Sequence, residues 1–254
     1  MRPGCFPAGL RCFPSPPANE MRAIADFPVE GTWHHGILIR VFGILFLAEA
    51  VLVALNAFSS HWTWNLSLER NVPTFYHSAI LVAVALSLWC VGGLGTVWRN
   101  RAALPVHWAP LWLATGALFL YLAIDEAAEI HERAGPKLWN ALGLWDQLDH
   151  VWEAAFAPLF GLIALLLLTL MFRHRHHLAA FLWLGLAALA LWGMALVLEL
   201  MQLTFLPSMQ PWYALAVNVE ETLEMVASTL FLLACALFLR RILGWERPPL
   251  PGAR

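Results

Sequence analysis

The stretch "HLAAFLWLGLAALALWGMALV", residues 177–197, contains no ionisable side chain after its first residue. A helix needs about 20 apolar residues to cross the hydrocarbon core of a bilayer, so this stretch is long enough to span one. The whole chain shares this character, since 60% of its 254 residues are hydrophobic and 13% are charged. A soluble domain carries roughly a quarter of its residues as charged side chains. The sequence therefore predicts an all-α fold, a polytopic integral membrane helix bundle.

Six apolar segments of this kind follow one another along the chain. Proline and basic residues separate them, as at "RHRHH", residues 173–177, and "LPSMQP", residues 206–211. Such clusters mark loops between helices. We therefore predict six transmembrane helices, over approximately residues 35–57, 74–98, 107–133, 149–172, 178–203 and 212–243.

The two ends of the chain differ in composition from this helical region. Residues 1–30 are rich in proline and lack the apolar run that a signal peptide requires, which predicts a disordered cytoplasmic tail. Met21 opens a more ordinary amino terminus than Met1, so translation could begin at either methionine. The predicted organisation places the six-helix transmembrane domain at residues 31–243 and a cytoplasmic carboxy-terminal tail at residues 244–254.

Basic residues are distributed unevenly between the two sides of the predicted bundle. Of the 15 Lys and Arg residues, only Arg70, Arg133 and Lys137 fall in or beside the loops that share one side. Lys and Arg accumulate in cytoplasmic loops, so the side with the other twelve should be cytoplasmic. This distribution predicts that both termini are cytoplasmic, in what we expect to be a bacterial inner membrane.

Acidic side chains gather toward the opposite, outer side. At about 100° per residue, Asp125, Glu129 and Glu132 share one stripe of the third predicted helix. Ionisable groups within membrane helices usually face a bundle interior or a watery cavity, where they have partners. Carboxylates this close repel one another unless protons or cations lie among them. The pattern therefore predicts an acidic pocket that opens to the outer face.

Carboxylates and histidines at three- and four-residue spacing on facing helices are the ligands of dinuclear iron and manganese sites. This chain has such spacing on its third, fourth and sixth predicted helices, although His150 precedes Glu153 where the usual motif places Glu before His. The predicted cofactor is a divalent metal ion, Fe, Mn or Zn. The predicted ligands are Asp125, Glu126, Glu129, Glu132, His150, Glu153, Glu199, Glu220, Glu221, Glu224 and His77.

The same residues also have an ordinary structural interpretation. Acids at the start of a helix interact favourably with its dipole, which would account for Glu220 and Glu221, and His77 would be a hydrogen-bonded interfacial histidine. The cluster would then be an interfacial belt of charge. This interpretation does not account for Glu199, which lies near the carboxy-terminal end of its predicted helix, where the dipole disfavours an acid.

Three classes of function fit this sequence. The first is a membrane metalloenzyme that acts on a lipid or another hydrophobic substrate. The second is a cation or proton transporter, and the third is a non-catalytic subunit of a membrane complex. A conduction path needs polar groups along its length, but "LFGLIALLLLTLMF", residues 159–172, has no ionisable side chain. This favours a pocket that is closed from inside.

Charge and composition also indicate partners. With 15 basic and 17 acidic side chains, the chain has no overall attraction for nucleic acid. The predicted partners are membrane lipids, and in addition a membrane-protein partner or a second copy of this chain.

Overall fold

The fold is known from a computed structural model, which describes residues 33–59, 61–66, 68, 70–97, 108–130, 133–134, 137, 151–175, 178–204 and 210–243. These residues form an all-helical bundle, and no strand occurs among them. A short 3-10 helix, Trp62–Trp64, lies in the first loop. The six long helices are α1 (Trp33–Phe58), α2 (Val72–Val97), α3 (Ala109–Ala128), α4 (Val151–His174), α5 (Ala179–Thr204) and α6 (Gln210–Ile242).

The helices confirm the predicted fold class of an integral membrane helix bundle. Five of them, all except α4, are long and apolar enough to cross a bilayer, and the described apolar part of α4 is the shorter stretch Pro158–His174. Their ends lie within two residues of the predicted ends, with one exception. The regular part of α3 ends at Ala128 rather than at the predicted residue 133. The two predicted tails lie outside the described residues.

Two helix pairs build the centre of the bundle. Helix α2 packs along α3, α5 packs along α6, and contacts between α2 and α6 join the pairs. Half of the apolar span of α2 and of α6 is buried, against 17% of the span of α1. Helix α1 contacts α6 from outside, and α4 touches α3 and α5. Side chains that face the interior of the bundle are therefore supplied mainly by α2, α3 and α6.

Small residues let the paired helices approach closely. A Cβ atom added to Gly116 of α3 would lie 2.5 Å from the ring of Trp89 and 3.0 Å from the carbonyl oxygen of Ala85, both on α2. Lipid tails are as apolar as the side chains, so helices in a membrane associate through close packing rather than through the hydrophobic effect. Gly116 therefore sets how near α2 and α3 lie to each other.

Aromatic side chains fill the bundle beyond the middle of α6. Phe231 stacks on Phe119 of α3 with ring centroids 5.4 Å apart, and Phe238 stacks on Phe181 of α5 at 4.7 Å. Trp112 of α3 stacks on Phe238 at 5.3 Å. All five side chains are almost fully buried. The carboxy-terminal half of α6 thus contributes to a closely packed aromatic layer, whereas the acidic residues of α6 lie in its amino-terminal half.

Candidate metal centre

Three side chains from the three central helices meet inside the bundle. His77 lies in the second turn of α2, Glu126 in the last turn of α3, and Glu224 on the fourth turn of α6. One possible ligand atom from each residue lies within 4.8 Å of the other two. We refer to His77, Glu126 and Glu224 as the triad. The pairing of α2 with α3 and the contact of α2 with α6 bring the three side chains together.

His77 is the most buried member of the triad, with 5% of its surface exposed. Its Nε2 atom lies 2.9 Å from the hydroxyl oxygen of Ser228 on α6. Its Nδ1 atom lies 3.1 Å from Oε1 of Glu126, which is within the distance of an ion pair. Nδ1 is buried and has no hydrogen-bond partner among the described residues. A buried polar atom without a hydrogen bond is costly, and a bound ion is one way to satisfy it.

The spacing of these atoms suits a single metal ion. Zinc binds nitrogen and carboxylate oxygen at about 2.0–2.2 Å, so two ligands of one ion lie about 3 to 4 Å apart. The separation of 3.1 Å between His77 Nδ1 and Glu126 Oε1 falls in this range. Three protein ligands leave at least one coordination position open, which is the arrangement of catalytic rather than structural zinc sites. The triad can therefore hold an ion that remains accessible to a further ligand.

More carboxylates lie next to the triad, toward the amino-terminal end of α6. Glu221 experiences the negative charges of Glu224, Glu126, Glu220 and Glu199. The amide nitrogen of Gln202 donates a hydrogen bond to Glu220. Because like charges this close repel one another, a bound cation or protons would stabilise this group. The residues predicted on α5 and α6 thus lie beside the triad, and Glu224 is the one that belongs to it.

A buried carboxylate from α1 also approaches the site. Glu49 is 3% exposed, and its Oε1 atom accepts a hydrogen bond of 2.5 Å from the hydroxyl of Thr229. The hydroxyl of Tyr76 lies 3.3 Å from the same oxygen. Tyr76 and Thr229 are the chain neighbours of His77 and Ser228, so Glu49 sits alongside the His77–Ser228 contact. Its other oxygen, Oε2, is buried and has no hydrogen-bond partner among the described residues.

Glu129 lies apart from the triad and is paired with two arginines. Its backbone is left-handed, with φ 55°, where the regular part of α3 ends. Its carboxylate accepts hydrogen bonds from Arg70 at 2.9 Å and from Arg133 at 2.8 Å. The predicted stripe assumed an unbroken helix through residue 133. Because the regular helix ends at Glu129, this side chain pairs instead with Arg70 of the first loop.

The remaining predicted ligands fall into two groups. Asp125 is buried in the last turn of α3, next to Glu126 in the chain, and it does not belong to the triad. Glu132 and His150 lie outside the described residues. Glu153 lies in α4, but its side chain is also outside the described part of the chain.

Four residues of the site are not among the predicted ligands. Ser228 contacts His77 directly, and the other three are joined to one another by hydrogen bonds. Helical spacing could have indicated one of them, because Ser228 follows Glu224 by four residues and Glu221 by seven, on one face of α6. A second signal is Glu49, because it is the single acid in the largely apolar helix α1. These residues are Glu49, Tyr76, Ser228 and Thr229.

Residues 38–239 match the profile of a family described as "Domain of unknown function (DUF8692)", and the chain belongs to this family. No curated protein and no solved structure matches the chain. The matched residues include the triad and the described parts of all six helices except the chain ends.

Proposed function

We propose that this member of the family is an integral membrane metalloprotein that binds one divalent transition-metal ion through His77, Glu126 and Glu224. The observation that carries the proposal is the position of His77 Nδ1. It is buried, it lies 3.1 Å from Oε1 of Glu126, and with Glu126 and Glu224 it forms a group of three possible ligand atoms that lie within 4.8 Å of one another. A nitrogen and an oxygen that bind the same ion lie at about this distance from each other.

The donor set indicates the kind of metal. One imidazole nitrogen and two carboxylate oxygens suit Zn, Fe or Mn better than Mg or Ca, which prefer oxygen alone. The side chain of Glu126 is 22% exposed, whereas that of His77 is 6% exposed. The ion would therefore be shielded from solvent on the side of His77 and accessible beside Glu126.

We further propose that the site is catalytic and that its substrate is a lipid or another hydrophobic molecule. The support is the open coordination position together with the place of the site inside a membrane bundle. A bound metal of this kind supplies Lewis acidity and lowers the cost of ionising water. The residues of the chain would hold the ion and keep the inner half of the bundle dry. The buried, stacked rings of Phe119 and Phe231 count against the alternative of a transporter, because a conduction path needs polar groups along its length.

Elemental analysis and zinc titration test the metal proposal. The protein purified in a mild detergent should bind one zinc ion per chain. Since the folded state binds the ion, zinc at 100 times its dissociation constant should stabilise the protein by about 2.7 kcal/mol. A chelator should remove this gain in thermal stability. A protein that binds no Zn, Fe or Mn, and whose melting temperature does not respond to them, would contradict the proposal.

We propose that both termini are cytoplasmic and that the triad lies toward the outer side of a bacterial inner membrane. The support is the uneven distribution of Lys and Arg described above. Reporter fusions after residue 100, at residue 175 and at the carboxy terminus should therefore report a cytoplasmic position. Fusions near residues 65, 140 and 208 should report an external one. An external carboxy terminus would reverse the orientation of the site.

A further inference from the structure

We infer that Ser228 is a positioning residue, which holds His77 so that its Nδ1 atom, and not its Nε2 atom, binds the metal. The inference rests on the proposed metal site and adds two properties to it. One is the identity of the ligand nitrogen. The other is a residue outside the ligand set on which the affinity for the metal depends.

The contact between Ser228 and His77 is isolated from water. Ser228 is fully buried and His77 is 5% exposed, and the hydroxyl oxygen lies 2.9 Å from Nε2. A neutral imidazole carries one N–H group, and the nitrogen without it offers a lone pair. When Nε2 donates its hydrogen to the serine oxygen, Nδ1 keeps its lone pair. Nδ1 is also the nitrogen that lies 3.1 Å from Glu126. The serine oxygen can accept the hydrogen of Nε2, so the contact supports the tautomer that the triad requires.

Helix α6 supplies both a ligand and the support for another ligand. Ser228 follows Glu224 by four residues, which places the two side chains one turn apart on the same face. His77 comes from α2, so its ring is fixed between α6 and the carboxylate of α3. Histidines that bind metals generally donate a hydrogen bond from the N–H of their second ring nitrogen to a nearby partner, and loss of that partner costs about 10- to 100-fold in affinity.

The first experiment measures the zinc affinity of Ser228→Ala by competition with a chromophoric chelator. We expect the affinity to fall about 10- to 100-fold while the capacity stays at one ion per chain. Thr115→Val is the matched control. It removes another fully buried hydroxyl, which bonds within α3 to the carbonyl of Leu111 at 2.8 Å. This control should keep the affinity of the wild-type protein.

The second experiment identifies the ligand nitrogen. The amide group of asparagine occupies the place of Nδ1 of a histidine, whereas the longer glutamine places its amide near Nε2. His77→Asn should therefore bind zinc more tightly than His77→Gln, although both bind more weakly than the wild-type protein. A purely structural role of the Ser228 contact would not produce this order.

The outcomes separate the inference from the proposed function. If the wild-type protein binds no zinc, the proposed function fails. If the wild-type protein binds zinc but Ser228→Ala binds it equally well, or His77→Gln binds it more tightly than His77→Asn, only the inference is wrong.

Discussion

Glu126→Gln and Glu224→Gln should each lower the zinc affinity of the purified protein by more than about 100-fold. A change outside the ligand set already costs about 10- to 100-fold, and the loss of a ligand charge should cost more. The amide keeps the size of the side chain, but it removes the negative charge that attracts the ion. The measurement is the same chelator competition in detergent, with elemental analysis of the zinc-loaded variants.

Glu129→Gln is the matched control for these two substitutions. It makes the same chemical change at the same end of α3. The charge of Glu129 is already paired with Arg70 and Arg133, and Glu129 does not belong to the triad. We expect its zinc affinity to stay within about twofold of that of the wild-type protein, since it removes no ligand. An equal loss of affinity in all three variants would indicate a general effect of negative charge rather than a defined site.

The effect of the amides on stability gives a second readout of the same variants. Without metal, removal of one of several neighbouring carboxylates relieves repulsion, so Glu224→Gln should be at least as stable as the wild-type protein in the presence of chelator. At a zinc concentration that saturates the wild-type site but not the weakened one, the wild-type protein gains more stability from the ion. The order of the melting temperatures should therefore reverse when zinc is added. In an interfacial belt of charge without metal, the amides would be the more stable form under both conditions.

The sequence allowed the helices to be predicted because their signal is local. Length and apolar composition alone mark a segment that can cross a bilayer, and five of the six helices end within two residues of their predicted ends. The exception, α3, ends where Glu129 adopts a left-handed backbone. Its partner Arg70 lies 59 residues away in the chain, and periodicity contains no information about such a contact.

The candidate site could be predicted only as a set of residue types on particular helices. Glu126, Glu224 and His77 are among the predicted ligands, but eleven candidates were predicted and the triad contains three of them. Which acids meet depends on the close pairing of α2 with α3 and on the contact of α2 with α6, which are tertiary properties. Glu49 is the single acid of α1, and only its position beside Tyr76 and Thr229 connects it to the site.

Gly116→Leu should destabilise the bundle by at least about 3 kcal/mol and should also abolish zinc binding. A single Cβ at this position would already lie 2.5 Å from the ring of Trp89 and 3.0 Å from the carbonyl oxygen of Ala85. Overpacking by smaller additions costs about 1–3 kcal/mol. The leucine must force α2 away from α3. Since His77 lies on α2 and Glu126 on α3, this movement also separates two members of the triad.

Gly193→Leu is the control for this substitution. Gly193 is exposed on α5, and a Cβ added there would meet no atom within 4 Å. The leucine would face lipid, and it removes the cost of about 1 kcal/mol that a glycine brings to a helix interior. We expect the melting temperature and the zinc affinity of this variant to equal or exceed those of the wild-type protein. If Gly116→Leu unfolded the bundle no more readily than Gly193→Leu, α2 and α3 would not meet at Gly116. The geometry that brings His77 to Glu126 would then be wrong, and the metal site would lose its structural basis.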